Sequence, residues 1–331
     1  MTVDLSIKEV KDLSYKALTK AGSNDEQANA VSEVISKAEQ DGSESHGLFR
    51  LPGYVSSLKS GKINHSPNPS LKSISPVILK CNGDCSFAPL IHKRYLSNLV
   101  KVANEFGVGI LSINRTAHFA SLWHETEFIA ENNLVGIACV SYLPSVAPHG
   151  TSQKLYGTNP ISFAWPRKNN FPLVFDMATS SVALGDVMIA ARENKLFSEN
   201  MGLDGEGQLT NDPKEILKGM LLTFGGYKGS HISMMIELLA GPLLGETSSY
   251  ETEKNDIKDG GPPLGGELIM ALSPAIISDS KDWTIRSENF INKLSSLRGV
   301  RIPGKRRHQN RKNYRPVKVN LELMKKIKSL I

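Results

Sequence analysis

Ser45-His46-Gly47-Leu48-Phe49-Arg50 sets an imidazole and a guanidinium four residues apart, a spacing that puts both on one face of a single helical turn. An imidazole titrates near neutrality, with an unperturbed pKa of roughly 6.5, so it can hand over a proton at working pH. An arginine fork holds a carboxylate through two parallel hydrogen bonds. The pair suits chemistry on a small carboxylic acid, although the same spacing also describes a solvated helix face. What surrounds it decides between the two.

Upstream, residues 7–41 are rich in Ala, Glu, Lys and Leu, with Val10, Leu13, Ala17 and Leu18 recurring at helical spacing. Ser6 followed by Glu9 reads as a capping box. After Gly22-Ser23-Asn24-Asp25 a second helix runs through Ala28, Val31, Val34, Ile35 and Ala38, so a helical hairpin delivers Ser45 and His46 at its end. Downstream, a helix from Leu51 to Lys59 ends at Gly61, and residues 64–70 form a Pro/Asn/Ser-rich connection.

The pattern then changes to short apolar segments between turns: Val77 to Lys80, Val108 to Ile113, Val135 to Val140, Ile161 to Trp165 and Leu173 to Asp176. Helical stretches from His92 to Phe106 and Leu122 to Asn132 separate some of them, which makes an α/β or α+β body. Residues 200–213 read as a polar excursion from the core, and residues 250–263 as a second, mobile one. Ser230 to Leu244, rich in Met and Leu, reads as a helix packed into the core.

At 331 residues the chain can bury a large core. No apolar run approaches the roughly 18–20 residues needed to span a bilayer, and the N-terminus lacks the basic start and apolar run of a signal peptide. Three cysteines, Cys81, Cys85 and Cys139, fit a reducing compartment. These features point to a cytoplasmic protein without a membrane partner. Cys81 and Cys85 have no second Cys/His pair to complete a zinc site, so no metal is expected.

The net charge of +6 is unevenly placed, because no acidic residue occurs from Asn289 to Leu321. Lys293, Arg298, Arg301, Lys305, Arg306, Arg307, Arg311, Lys312, Arg315 and Lys318 all fall there, so an anionic neighbour is expected. Nucleic acid is one candidate, yet no helix-turn-helix or zinc-finger spacing accompanies the charge. A phosphate-rich cofactor is the other.

The Gly-x-Gly-x-x-Gly fingerprint of the commonest dinucleotide-binding fold is absent. No P-loop is present either: Gly225-Gly226-Tyr227-Lys228-Gly229-Ser230 has the residue types in another order. Its glycines could let backbone N–H groups approach a phosphate beside Lys228. Three more segments offer ligand-sized openings. Arg115 to Leu122 runs from a strand into a helix, Gly157-Thr158-Asn159-Pro160 is a turn before a strand, and Asp176 to Ser180 ends another strand ahead of Gly185-Asp186. Each alone is ordinary turn composition.

Together and in this order, these segments resemble the malate/L-lactate dehydrogenase family, NAD(P)-dependent oxidoreductases that do not use the Rossmann fold. The resemblance also takes in Val146-Ala147-Pro148-His149-Gly150, Glu237-Leu238-Leu239-Ala240-Gly241 and Arg301-Ile302-Pro303-Gly304, and so covers nearly the whole chain. It implies a mixed α/β (α+β) fold of the malate/L-lactate dehydrogenase type, with a helical N-terminal region and a homodimeric state. Residues 1–70 would form that region and pack with the C-terminal segment, residues 71–290 the NADPH-binding body, and residues 291–331 a basic segment contributing to the cofactor site. Within the family, His118-Phe119-Ala120-Ser121-Leu122-Trp123 resembles the delta-1-pyrroline-2-carboxylate/delta-1-piperideine-2-carboxylate reductases, which reduce cyclic imines.

The resemblance implies roles as well. His46 would donate a proton to the ring nitrogen as hydride reaches the adjacent carbon, with Ser45 and Asp186 as its relay. Arg50 would hold the substrate carboxylate and Thr158 would add a hydrogen bond. His118, Phe119, Ala120, Ser121, Leu122, Asp176, Met177, Ala178, Lys228, Gly229, Arg301, Ile302, Pro303, Gly304, Lys305, Arg306 and Arg307 would bind the cofactor. The basic run favours NADPH over NADH, because a 2′-phosphate is what an Arg/Lys cluster can pair. The alternatives are a 2-hydroxy-acid dehydrogenase of the malate, lactate or ureidoglycolate type and, further off, a nucleic-acid-binding or scaffold protein.

Overall fold

A computed structural model describes residues 2–280, 282–313 and 316–331; Arg315 of the basic stretch therefore lies outside the described residues. The chain runs β1 (Thr2–Leu5), α1 (Ile7–Lys20), α2 (Asp25–Gln40), α3 (Leu51–Lys59), β2 (Ser70–Ser75), β3 (Ile78–Phe87), α4 (Ala88–Phe106), β4 (Val108–Ala117), α5 (Trp123–Glu131) and β5 (Val135–Val140). It continues through β6 (Ile161–Trp165), β7 (Leu173–Met177), α6 (Leu184–Glu193), β8 (Gly202–Leu203), β9 (Leu209–Thr210), α7 (Pro213–Lys218), β10 (Met220–Leu221), α8 (Tyr227–Ala240) and α9 (Ser249–Asn255). It closes with β11 (Gly265–Leu272), α10 (Pro274–Ile277), α11 (Trp283–Ser296), α12 (Lys305–Lys312), β12 (Val317–Asn320) and α13 (Leu321–Lys328).

Seven strands form one mixed sheet in the order β2-β3-β4-β11-β5-β6-β7, in which only β3 and β4 run parallel. The body is thus an α/β fold with a mixed sheet. Its core is the apolar face that Leu111, Ile113, Ala138 and Ile269 present to Ile91, Leu99 and Ile129 of α4 and α5. The strand at the centre of the sheet, β11, is broken in hydropathy by Gly266 and Glu267, yet Glu267 is wholly buried there.

The N-terminal hairpin forms where its caps predict. Ser6 and Glu9 make the reciprocal capping box, and Asn24 caps α2. Its apolar stripe packs with α3, β12 and α13 in a second core containing Leu18, Ile35, Tyr54, Phe87 and Ile327. β1 pairs antiparallel with β12, so the two ends of the chain close on each other. Gln27 ties this layer to the body, donating to the Asn64 carbonyl at 3.1 Å and accepting the Phe87 N–H at 2.9 Å.

Four local expectations change. Residues 45–50 are not one helical turn: two 3₁₀ turns, Glu44–His46 and Leu48–Arg50, meet at Gly47, whose φ of −90° and ψ of −137° break the helix. Residues 200–213 are not bare loop, because β8 and β9 join β10 in a small sheet closed by α7. Residues 250–263 are not bare loop: they include most of α9, and Lys62 and Ser60 both bond Asp259, at 2.6 and 2.8 Å. The helix α8 buries Ile236 and Ala240 but leaves Tyr227, Met234, Met235 and Leu238 exposed, so it is only half core. Among the described residues, no helix is long and apolar enough to cross a membrane.

Candidate active site

A cavity of about 630 Å³ opens between the N-terminal layer, the end of β7, α6 and the C-terminal helix α12. Ser45, His46, Arg50, Thr158, Asp186, the segment His118–Leu122, Asp176–Ala178, Arg306 and Arg307 all line it. Segments more than 250 residues apart in sequence meet at one wall. Lys228, Gly229, Arg301, Ile302, Pro303, Gly304 and Lys305 are not on that wall. Lys228 is exposed at the first turn of α8, and Gly229 is buried where a Cβ would overlap Phe224. Arg301 is exposed, while Ile302, Pro303 and Lys305 border a separate cavity of about 380 Å³. Gly304 caps the start of α12 against Val174.

His46 Nδ1 lies 3.2 Å from Ser45 Oγ, which orients the ring and leaves Nε2 for a reactant. Burial, then the charges of Arg50 and His118, push its pKa down to about 3, so these surroundings favour the neutral imidazole. Asp186 stands on the same wall in the first turn of α6. Among the described residues it has no hydrogen bond to the Ser45–His46 pair, and its charge is felt by Arg50 instead.

Arg50 donates from Nε to the Ser45 carbonyl at 2.7 Å, and its guanidinium lies over the Phe119 ring at 4.4 Å. These contacts aim the remaining N–H groups at the cavity. Burial lowers its pKa, while Tyr142, Tyr54 and Asp186 act against that change; a guanidinium still keeps its charge near neutrality. Thr158 is presented by a turn whose neighbours are locked. Asn159 has a left-handed φ of 40° and donates to Glu237 of α8 at 2.7 Å. A Cβ at Gly157 would crowd the Tyr142 backbone. The motif Glu237 to Gly241 thus serves the turn from a distance, since Glu237 also takes the N–H of Ser249 at 2.9 Å.

His118, which lines the cavity, belongs to a buried charge cluster. His118 bonds Glu125 at 3.0 Å and His92 bonds Glu267 at 2.8 Å, with all four ligating groups within 4.8 Å of one another. Burial alone would lower the His118 pKa, but the Glu267 charge and the bond to Glu125 outweigh it and lift the value to about 9. His118 is accordingly a cation at neutral pH. Burial raises Glu125, whereas at Glu267 the charges of His92 and His118 overcome burial and hold the carboxyl down. The pairs bond each other at ordinary hydrogen-bond lengths.

Asp176 is pushed up to about 6 by burial and then by Glu125, with Arg307 opposing. Arg307 donates to the Val174 carbonyl at 3.0 Å and lies over Trp123, yet its Nε is buried without a partner among the described residues. Such an orphaned donor on a cationic rim suits an anionic ligand group. The cavity also has walls that the sequence did not single out: Tyr142, Glu193 and Lys195. Tyr142 stands two residues beyond an apolar strand, a position that could have flagged it. Lys195 follows the left-handed cap Asn194 of α6 and carries no such signal.

The malate/L-lactate dehydrogenase family model matches residues 5–328. The chain belongs to the malate/L-lactate dehydrogenase family. It is an oxidoreductase. The Delta(1)-pyrroline-2-carboxylate reductase of Pseudomonas fluorescens is 39% identical over 306 residues, which is 92% of this chain and 91% of that protein. The Delta(1)-pyrroline-2-carboxylate/Delta(1)-piperideine-2-carboxylate reductase of Pseudomonas syringae pv. tomato is 39% identical over 94% of this chain and 90% of its own. The crystal structure of delta1-piperideine-2-carboxylate reductase from Pseudomonas syringae superposes with a TM-score of 0.93 at 36% identity, covering 100% of both chains. Sulfolactate dehydrogenase from Methanocaldococcus jannaschii has the same fold, with a TM-score of 0.87 and 27% identity over 99% of this chain and 96% of that one.

Proposed function

We propose that this family member reduces delta-1-pyrroline-2-carboxylate and delta-1-piperideine-2-carboxylate to L-proline and L-pipecolate with NADPH. The observation that carries the proposal is the meeting of His46 and Arg50 on one cavity wall, in a chain 39% identical to cyclic imine reductases. Arg50 and Thr158 bind the substrate carboxylate, which sets the adjacent C=N carbon toward the cofactor side of the cavity. Bound NADPH supplies the hydride. His46 then provides the proton that the ring nitrogen needs, and the buried surroundings keep competing water away. Burial is the main reason His46 stays unprotonated and the Arg50 charge the next, so pairing Arg50 with the substrate carboxylate eases proton loading and links it to substrate binding.

His118 to Leu122, Asp176 to Ala178, Arg306 and Arg307 fit the cofactor, with the orphaned Arg307 Nε and the exposed Arg306 on the rim as partners for a 2′-phosphate. Lys228, Gly229 and residues 301–305 stay in the proposal only as flanking contributors. The direct test compares NADPH and NADH oxidation with the two cyclic imines, pyruvate and oxaloacetate. Fast turnover of the imines with NADPH supports the reading. Fast turnover of the keto acids and none of the imines replaces it with a 2-hydroxy-acid dehydrogenase, which His46 and Arg50 would serve equally well.

The same proposal includes a homodimer. Tyr227, Met234, Met235, Leu238 and Leu243 lie exposed along α8 and the turn after it, a row of large apolar side chains that a second copy would cover. Light scattering gives the mass directly, and Leu238→Glu should shift it toward the monomer.

A further inference from the structure

Glu39, in the last turn of α2, is a buried carboxylate that the chemistry above does not use. Its Oε1 accepts the backbone N–H of Leu48 at 2.7 Å. That N–H sits where the two 3₁₀ turns join: His46 N–H bonds the Ser43 carbonyl in the first, and Arg50 N–H bonds the Gly47 carbonyl in the second. Among the described residues the Leu48 N–H has no backbone acceptor, so the side chain of Glu39 supplies what the broken helix leaves open. The carboxyl also lies flat on Gly47, where a Cβ would overlap it. No cation neutralises Glu39 among the described residues. Burial lifts its pKa to about 7, against the Leu48 bond and with a push from the Glu44 charge. A buried carboxyl held by one hydrogen bond is an expensive way to fill this space.

We propose that Glu39 is a positioning residue: by holding the Leu48 N–H it sets the Gly47 hinge, and with it the angle between His46 and Arg50 toward one substrate. The inference rests on the reading of His46 as proton donor and Arg50 as carboxylate clamp. It adds the device that holds the two in register. A helical turn would fix their relative placement through its own hydrogen bonds. Two turns broken at a glycine lack that backbone ladder: the Arg50 Nε bond to the Ser45 carbonyl ties the side chain across the break, and Glu39 from α2 holds the backbone at Leu48. Only the acceptor oxygen is needed, which separates this role from one that depends on charge.

The test measures kcat and KM of the full-length protein carrying Glu39→Gln, Glu39→Ala or Glu39→Met, at saturating NADPH, together with thermal midpoints. Glutamine presents the same acceptor oxygen and should keep kcat/KM within about threefold of the parent, whereas alanine and methionine should lose about tenfold or more, with KM raised and kcat lowered together. Methionine refills the volume, so a fold-stability loss in the alanine variant leaves it as the decisive comparison. A folded methionine variant with kcat/KM within about threefold of the parent overturns the proposal. So does a glutamine variant as impaired as alanine. The assay runs with cyclic imine and with keto acid: if only the keto acid turns over, the proposed substrate fails while the Glu39 comparison still stands on that substrate.

Discussion

Replacing Arg311 with methionine tests the link between the C-terminal segment and the rest of the site. Arg311 bonds both oxygens of Asp41, at 2.6 and 2.7 Å, and Glu127 at 2.7 Å, while Asn310 bonds the Asp41 carbonyl at 3.0 Å. One guanidinium thus joins α12 to the end of α2 and to α5. Asp41 has a side-chain exposure of 0% and Arg311 of 24%, so removing the cation strands a fully buried carboxylate. Breaking a buried pair in this way costs about 3–5 kcal/mol, and the partial exposure of the arginine argues for the lower end. At the unfolding entropy of a chain this long, a loss of about 3 kcal/mol lowers Tm by about 4 °C.

The sign of the pH dependence is also set. Burial already raises Asp41 and Arg311 opposes it, so without the arginine the carboxyl rises further. A group with a raised folded pKa loses its stabilising effect as pH rises through that value, so the gap in Tm between variant and parent should widen from about pH 5 to about pH 7.5. Differential scanning fluorimetry at both pH values measures it. The KM for NADPH should rise in parallel, because the same helix carries Arg306 and Arg307 to the cavity. An unchanged Tm, within about 1 °C at both pH values, would refute the clamp.

Gly185→Ala would place a Cβ 2.8 Å from Arg50 Nη2 and 3.0 Å from Ser45 Cβ, and the displaced guanidinium should raise KM for the imino acid about tenfold with kcat nearly unchanged. An unaltered KM would mean that Arg50 does not hold the carboxylate. His46→Asn should lower kcat by about 10²- to 10⁴-fold while NADPH binding, read by fluorescence titration, stays the same; a loss under about tenfold contradicts the proton-donor role. The His118 cluster predicts a stability profile. Its raised pKa stabilises the fold fully below the ordinary value of 6.5, and that contribution fades as pH rises through about 9. Urea midpoints should fall across that range and fall less in Glu267→Gln; a flat parent profile rules the cluster out as its source.

The periodic parts of the chain were legible because their signals are local. Ser6 with Glu9 and Asn24 with its following turn mark both hairpin helices, and the runs at Val108, Val135, Ile161 and Leu173 become strands. The central strand β11 was not legible, because Glu267 and two glycines interrupt the apolar pattern. A charge is stable there because His92, from α4, bonds it and His118 stands close by. The same limit applies to α8, whose Met and Leu content reads as core although one of its faces is exposed among the described residues.

For the site, residue types and their order along the chain pointed to a proton donor, a carboxylate clamp and a basic cofactor rim before any coordinate was known. Sequence spacing placed His46 and Arg50 on one helical face; tertiary structure reaches a shared wall by another route, through a break at Gly47 held by Glu39. It also decided that Arg306 and Arg307 reach the cavity while residues 301–305 do not, since α12 is anchored by Asp41 and Glu127 from distant parts of the chain. Sequence by itself determines which chemical groups are available and which local turns they prefer, because caps and periodicity act over a few residues. Burial and long-range pairing decide which of those groups face the cavity and in what protonation state, because desolvation and Coulomb energies depend on neighbours that only the packed fold brings together.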